Sequence, residues 1–138
     1  MKVLVDLNVF LDVEQRRQPF FADSATVLNA ALNGRITALL PTHSITTLFY
    51  VLERQLNAAD AMRAVNWHLT HFQVPALDHA TLKRAAVLGF ADFEDAVVAA
   101  LAEKAGCTHI VTRNVADFAA SPVPVVSPTD FLSLLPTP

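Results

Sequence analysis

Apolar residues in this chain fall into short continuous runs that alternate with longer stretches of helical spacing. Lys2–Asp6 is near-continuously apolar up to its acid, the pattern of a strand buried on both faces. Asn8–Glu14 follows as a short helix with Val9, Phe10 and Val13 on its apolar side. After Pro19, the segment Phe20–Asn33 places Ala25, Leu28 and Leu32 at helical spacing, and Gly34 stands where a helix C-cap belongs. Ile36–Leu40 is a second buried strand closed by Pro41. His43–Leu56 and Ala59–His71 predict two antiparallel helices, because only Asn57-Ala58 links them. Phe72–Val74 is a third short strand, and Asp78 caps a helix running to Leu88 and ending at Gly89. The helix over Ala96–Ala102 is apolar all round and therefore expected to be buried on most sides. Gly106 ends it. His109–Thr112 and Val123–Val126 complete five strands, and Ser127–Leu135 closes the chain as a helix with Pro128 at its first position. Strands alternating with helices predict a three-layer α/β/α sandwich around a mainly parallel five-stranded sheet. A single domain over residues 1–135 and a tail over 136–138 are expected.

The glycines narrow the chemistry. Only three occur in 138 residues, and each fits a helix C-cap. A dinucleotide turn or a phosphate loop needs glycines immediately after a strand, so a nucleotide cofactor is not expected. One cysteine, Cys107, rules out an internal disulfide and a cysteine-cluster zinc site; it reads as a small core residue. The histidines make no zinc site either, since His68 and His71 share a helix face without an evident acid beside them. Trp67 and the phenylalanines fit core spacing better than a base-stacking platform.

Composition adds class and compartment. Hydrophobic content is 53% against 17% charged residues, yet no apolar run approaches the ~20 residues of a membrane helix. Asp6 and Asp12 interrupt any signal-peptide core, so a cytoplasmic protein is expected. A formal net charge of −3 argues against holding nucleic acid by bulk electrostatics. It leaves open an enzyme that meets phosphates through bound cations.

The acids supply that possibility. In open parallel sheets, sites form beyond the carboxyl ends of the strands. Asp6 ends the first strand; Arg113, Asn114 and Asp117 follow the fourth; Asp92 and Asp95 open the helix leading into it. Four carboxylates from three distant segments would thus share one edge, where they repel and raise one another's pKa unless a cation holds them. Hard oxygen ligands select Mg²⁺ or Mn²⁺ over zinc, and such a site suits in-line attack on a phosphodiester. Each acid also has a structural reading. Asp92 and Asp95 can form a capping box, Glu94 is a dipole-friendly surface acid, Asp117 can cap a turn, and Asp12 is placed on the surface. Asp6 is hardest to explain structurally, because a carboxylate directly after buried Val5 must be hydrogen-bonded or coordinated.

The ordered set VLVDLNVFLD, DFEDAVVAALAEKAG and HIVTRNVADF resembles the PIN domain family, from Met1 to about Leu134. The resemblance implies an Mg²⁺- or Mn²⁺-dependent ribonuclease on a five-stranded parallel sheet. It implies, further, a VapC-like toxin acting on RNA, paired with an antitoxin and assembled as a homodimer. Carried across by residue, Asp6 and Asp95 match family acids and become metal ligands with Asp117, while Asp92 and Asn114 complete the catalytic set. Asn114 stands where many members place an aspartate, and Thr47 where the family has an acid on the helix after the second strand. Those two neutral residues keep a second reading open, a PIN fold that acts by association without productive metal binding. A haloacid-dehalogenase-type phosphatase is ranked last, since it wants an aspartate two residues after Asp6 and position 8 is Asn.

Overall fold

The computed structural model describes residues 1–137. Strand β1 (Lys2–Val5) is followed by α1 (Leu7–Glu14), α2 (Phe21–Leu32), β2 (Thr37–Leu39), α3 (Ser44–Gln55), α4 (Ala58–His71), α5 (His79–Ala86) and α6 (Phe93–Lys104). Strand β3 (His109–Val111), a 3-10 turn (Val115–Phe118), β4 (Val125–Val126) and α7 (Pro128–Leu132) complete the order. The sheet is parallel with strand order β2-β1-β3-β4. β1 is therefore central, which is why Val3, Leu4 and Val5 are all fully buried.

Alternation along β1 divides the core. Leu4 packs with Ile110, Phe118 and the Ala96–Ala102 stretch of α6 on one side of the sheet. Val3 and Val5 pack with Val9, Phe10, Val27, Leu28 and Phe131 from α1, α2 and α7 on the other. The α6 stretch is buried at every position from Ala96 to Ala102, and its small side chains let the helix lie close against the sheet. A third cluster, Leu11, Leu48, Leu52 and Ala61, ties α3 and α4 to α1. Among the described residues, no helix is long and apolar enough to cross a membrane.

Four expectations are corrected. The sheet has four strands, not five: at Phe72–Val74 a single parallel bridge, Leu39 with Gln73, is all that forms. The amide of Leu40 reaches the Gln73 carbonyl at 2.8 Å, but Pro75 follows at once and has no N–H to extend a ladder. Asp12 is fully buried rather than on the surface. The aromatic residues divide, with Phe10, Phe72, Phe118 and Phe131 in the core and Phe20, Trp67 and Phe93 at least 40% exposed. The closing helix is also shorter than expected, Pro128–Leu132.

Helix ends follow local chemistry. Asn57, Asp78, Asp92 and Ser127 each accept a hydrogen bond from the amide three residues on, and such caps contribute about 1 kcal/mol each. Gly34, Gly89 and Gly106 follow α2, α5 and α6 with φ of 75°, 82° and 70°, backbone that a side chain would strain. Cys107 is buried directly after Gly106, and burial pushes its thiol up to about 11. It is an inert core residue.

Candidate active site

Parallel pairing decides which residues meet. Val5 is in register with Val111, and the Asp6 amide continues the ladder onto the Val111 carbonyl at 2.9 Å. Asp6 and Thr112 therefore leave the sheet side by side at its carboxyl edge. The Thr112 hydroxyl donates to Asp6 Oδ2 at 2.8 Å, and the Asn8 amide nitrogen donates to the same oxygen at 3.2 Å. The other oxygen, Oδ1, accepts from the Leu7 amide at 2.8 Å, which makes Asp6 the N-cap of α1. Both carboxylate oxygens are thus engaged in a group only 9% exposed.

Burial pushes the Asp6 carboxyl up, while the bonds from Thr112 and Leu7 and the nearby His43 and Arg113 pull it down. Burial wins. The sequence treats Thr112 only as a strand end; in the structure its hydroxyl also accepts from the Asn114 amide at 3.1 Å and the Asn8 side chain at 3.3 Å. One hydroxyl thus joins β1, α1 and the turn after β3. No periodicity announces that role, although its place next to Asp6 follows once the register is known.

The second group of acids opens α6. Because α6 runs back across the sheet to β3, its N-terminus lies at the same carboxyl edge. Asp92 caps it, accepting from the Asp95 amide at 3.0 Å; this is half of the expected capping box, since among the described residues the Asp95 carboxylate does not reach back to the Asp92 amide. Asp95 is raised from 3.8 to about 6, first by burial and then by Asp92, Asp6, Asp117 and Glu94 in that order. All of these neighbours are acidic. Asp95 is thus the point at which the charges of Asp92, Asp6 and Asp117 are felt together.

Asn114 and Asp117 are exposed in the turn after β3, where the Asp117 amide donates to the Asn114 carbonyl at 3.0 Å. Thr47 is exposed on α3. Among the described residues, no three His, Cys, Asp or Glu side chains are gathered closely enough to hold a metal ion. The donor set is nonetheless that of a hard cation: several carboxylates, with no cation among the groups that shift Asp95.

Arg113 and Asp12 form a unit the sequence does not announce. Arg113 Nε donates to Asp12 Oδ2 at 2.8 Å, and Ser24 donates to the same oxygen at 3.2 Å. The guanidinium lies 4.0 Å from the centre of the Phe20 ring, a cation–π contact. Asp12 Oδ1 is buried without a hydrogen bond among the described residues. His68, paired with no acid in the sequence reading, lies 3.6 Å from Glu14 through Nε2, inside an aromatic cluster with Phe10, Trp67 and Phe72.

Residues 2–116 match the family model described as PIN domain. The chain belongs to the PIN domain family. It is 26% identical over 118 residues to ribonuclease VapC1 of Aquifex aeolicus (strain VF5), covering 82% of this chain and 81% of that protein. Its fold is similar to VapBC-1 from nontypeable Haemophilus influenzae, with a TM-score of 0.72 at 14% identity over 94% of this chain and 99% of that one. A toxin–antitoxin complex from Klebsiella pneumoniae gives a TM-score of 0.70 at 19% identity, covering 91% of this chain and 97% of that one. Within this PIN domain, Asp6 leaves β1 at the carboxyl edge of the sheet, and its charge, with those of Asp92 and Asp117, is felt at Asp95.

Proposed function

We propose that this PIN domain is a metal-dependent endoribonuclease of the VapC type, hydrolysing phosphodiester bonds of single-stranded RNA as the toxin of a toxin–antitoxin pair. The observation that supports the reading is that the Asp95 carboxyl is raised by burial and by the charges of Asp92, Asp6 and Asp117, which come from three separate segments. Acids so placed are tolerable when a divalent cation shares them.

Asp6, Asp95 and Asp117 would hold Mg²⁺ or Mn²⁺, which when bound stabilises charge on the attacked phosphate and activates water for in-line attack. The chain's own residues do the positioning. Thr112 and Asn8 fix the rotamer of Asp6. Asp92 holds the first turn of α6 and so aims Asp95. Asn114, exposed at the same edge, orients water or a phosphate oxygen through its amide. An antitoxin partner is supported by the likeness to the Klebsiella pneumoniae toxin–antitoxin complex. Exposed Tyr50, Met62, Trp67 and Leu69 on α3 and α4 are apolar surface that such a partner, or a second copy in a homodimer, would cover.

Purified protein incubated with single-stranded RNA and Mn²⁺ tests the reading. Cleavage by the wild type and its loss in Asp6→Asn are expected; equal cleavage by the variant would refute the site.

A second reading is a PIN fold that works by association alone. Neutral Thr47 and Asn114, and the absence of a closed ligand cluster among the described residues, favour it. Calorimetric titration with Mn²⁺ separates the two, because binding supports the nuclease and its absence supports the rival.

A further inference from the structure

Beside the acid edge, the α2 and α7 side of the molecule holds a cavity of about 370 Å³ whose walls include Phe20, Asp23, Ser24, Arg113, Pro128 and Thr129. Its volume falls in the range of small-ligand sites, at roughly 300–1,000 Å³. Three features of its lining are those of a recognition site rather than a packing fault. Arg113 is anchored through Nε by the fully buried Asp12 and across its face by the Phe20 ring, so its guanidinium has a fixed direction. Its two terminal nitrogens have no hydrogen-bond acceptor among the described residues, which leaves the fork available to a phosphate. In the same lining, Asp23 uses Oδ2 to accept from Thr129 at 2.6 Å, and its other oxygen has no donor among the described residues.

A fixed cation, an available carboxylate oxygen and apolar walls from Phe20 and Pro128 call for a ligand that is anionic at one end and a planar N–H donor at the other. A nucleotide has that form. The cavity also adjoins the acid edge, because Arg113 directly follows Thr112 and its amide lies 3.5 Å from Asn8 Oδ1.

We propose that this cavity is a nucleotide subsite: Arg113 takes a phosphate, Asp23 accepts from N–H groups on the base edge, and Thr129 and Pro128 bound the base. Asp12 is a positioning residue, acting through Arg113. That the bound nucleotide belongs to the RNA chain flanking the scissile phosphate rests on the ribonuclease reading; that a nucleotide binds here does not. Bases with N–H donors on their recognition edge, guanine above all, are the ones Asp23 favours.

The test is a titration in EDTA, so that no metal takes part, of the four 5′-ribonucleoside monophosphates, inorganic phosphate and guanosine. Binding is followed by amide and guanidinium NMR shifts. Nucleotides should perturb Arg113 Nε–H and the Ser24 and Thr129 amides, with Kd on the order of 1 mM. Phosphate alone or guanosine alone should bind at least about tenfold more weakly. Thr129→Trp, which fills the space, should weaken nucleotide binding by about tenfold or more, and Asp23→Asn should remove the preference for guanine. The proposal is overturned if nucleotides leave these signals unmoved, if inorganic phosphate binds as well as they do, or if both folded variants bind like the wild type. Nucleotide binding in a wild-type protein that cuts no RNA with Mn²⁺ would overturn the nuclease reading and leave the subsite standing. RNA cleavage without nucleotide binding would do the reverse.

Discussion

The Thr112 hydroxyl and the Asp6 carboxylate, 106 positions apart in sequence, meet at 2.8 Å at the carboxyl edge of the central strand pair. Asp6 is nearly buried, so this bond is one of the few things that make its charge tolerable. Thr112→Val keeps the shape and removes the donor. It should destabilise the fold by about 1–3 kcal/mol, the range for leaving a buried polar group unsatisfied, and raise the Asp6 pKa further. Thr112→Ser should restore most of the loss. Urea denaturation at neutral pH, with and without Mn²⁺, measures both.

Asp95 makes the apo protein sensitive to pH in a definite direction. Its carboxyl is raised from 3.8 to about 6, so between those values the native state holds a proton that the unfolded chain has released. Stability therefore declines as pH rises from about 4 to about 6 and levels off above. The raised Asp6 carboxyl acts in the same sense. Asp95→Asn should flatten this profile and raise the apo melting temperature at pH 7. An increase of about 2–4 °C is expected, the shift ~1 kcal/mol gives a domain of this size, since solvent screening discounts the electrostatic penalty. A melting temperature unchanged between pH 4 and 7 in the wild type would contradict the clustering.

Arg113 and Asp12 form an ion pair with the acid fully buried. Removing only the cation, as in Arg113→Ala, leaves that carboxylate unpaired and should cost about 3–5 kcal/mol. Asp12→Leu combined with Arg113→Met should cost clearly less than the two single changes summed. A double-mutant cycle in guanidinium chloride reads the coupling.

Asn114 sits exposed at the acid edge, where the family resemblance expects an acid. Asn114→Asp adds a hard ligand charge there and should tighten Mn²⁺ binding on the order of tenfold, equivalent to ~1.4 kcal/mol. Calorimetry is the measurement, and unchanged affinity would place the side chain outside the metal's reach.

Much of this molecule is written locally. The all-apolar run Ala96–Ala102 can only be a buried helix, and Gly34, Gly89 and Gly106 mark the ends of three helices because a left-handed residue is needed there. The caps at Asp78, Asp92 and Ser127 follow from spacing alone. The placement of the β1 and β3 ends on one side of the sheet was legible too, since parallel strands share a carboxyl edge. What sequence could not supply was pairing across distance. Asp12 lies three residues after buried Val9, on the inward side of α1, yet the cation that makes its burial possible comes 101 positions later. Thr112 needs the β1–β3 register before its hydroxyl has a meaning. At Phe72–Val74 the composition of a strand is present, but Pro75 limits it to one bridge.

Because β1 takes its two neighbours from residues 37–39 and 109–111, it has no complete sheet to join until residues 109–111 have been synthesised. Asp6 is made more than a hundred residues before Thr112 and waits for it and for Asp117 to emerge. A ribosome releasing this protein early, or a protease trimming it before position 109, would yield a fragment carrying the first acid and none of the edge that gives it purpose.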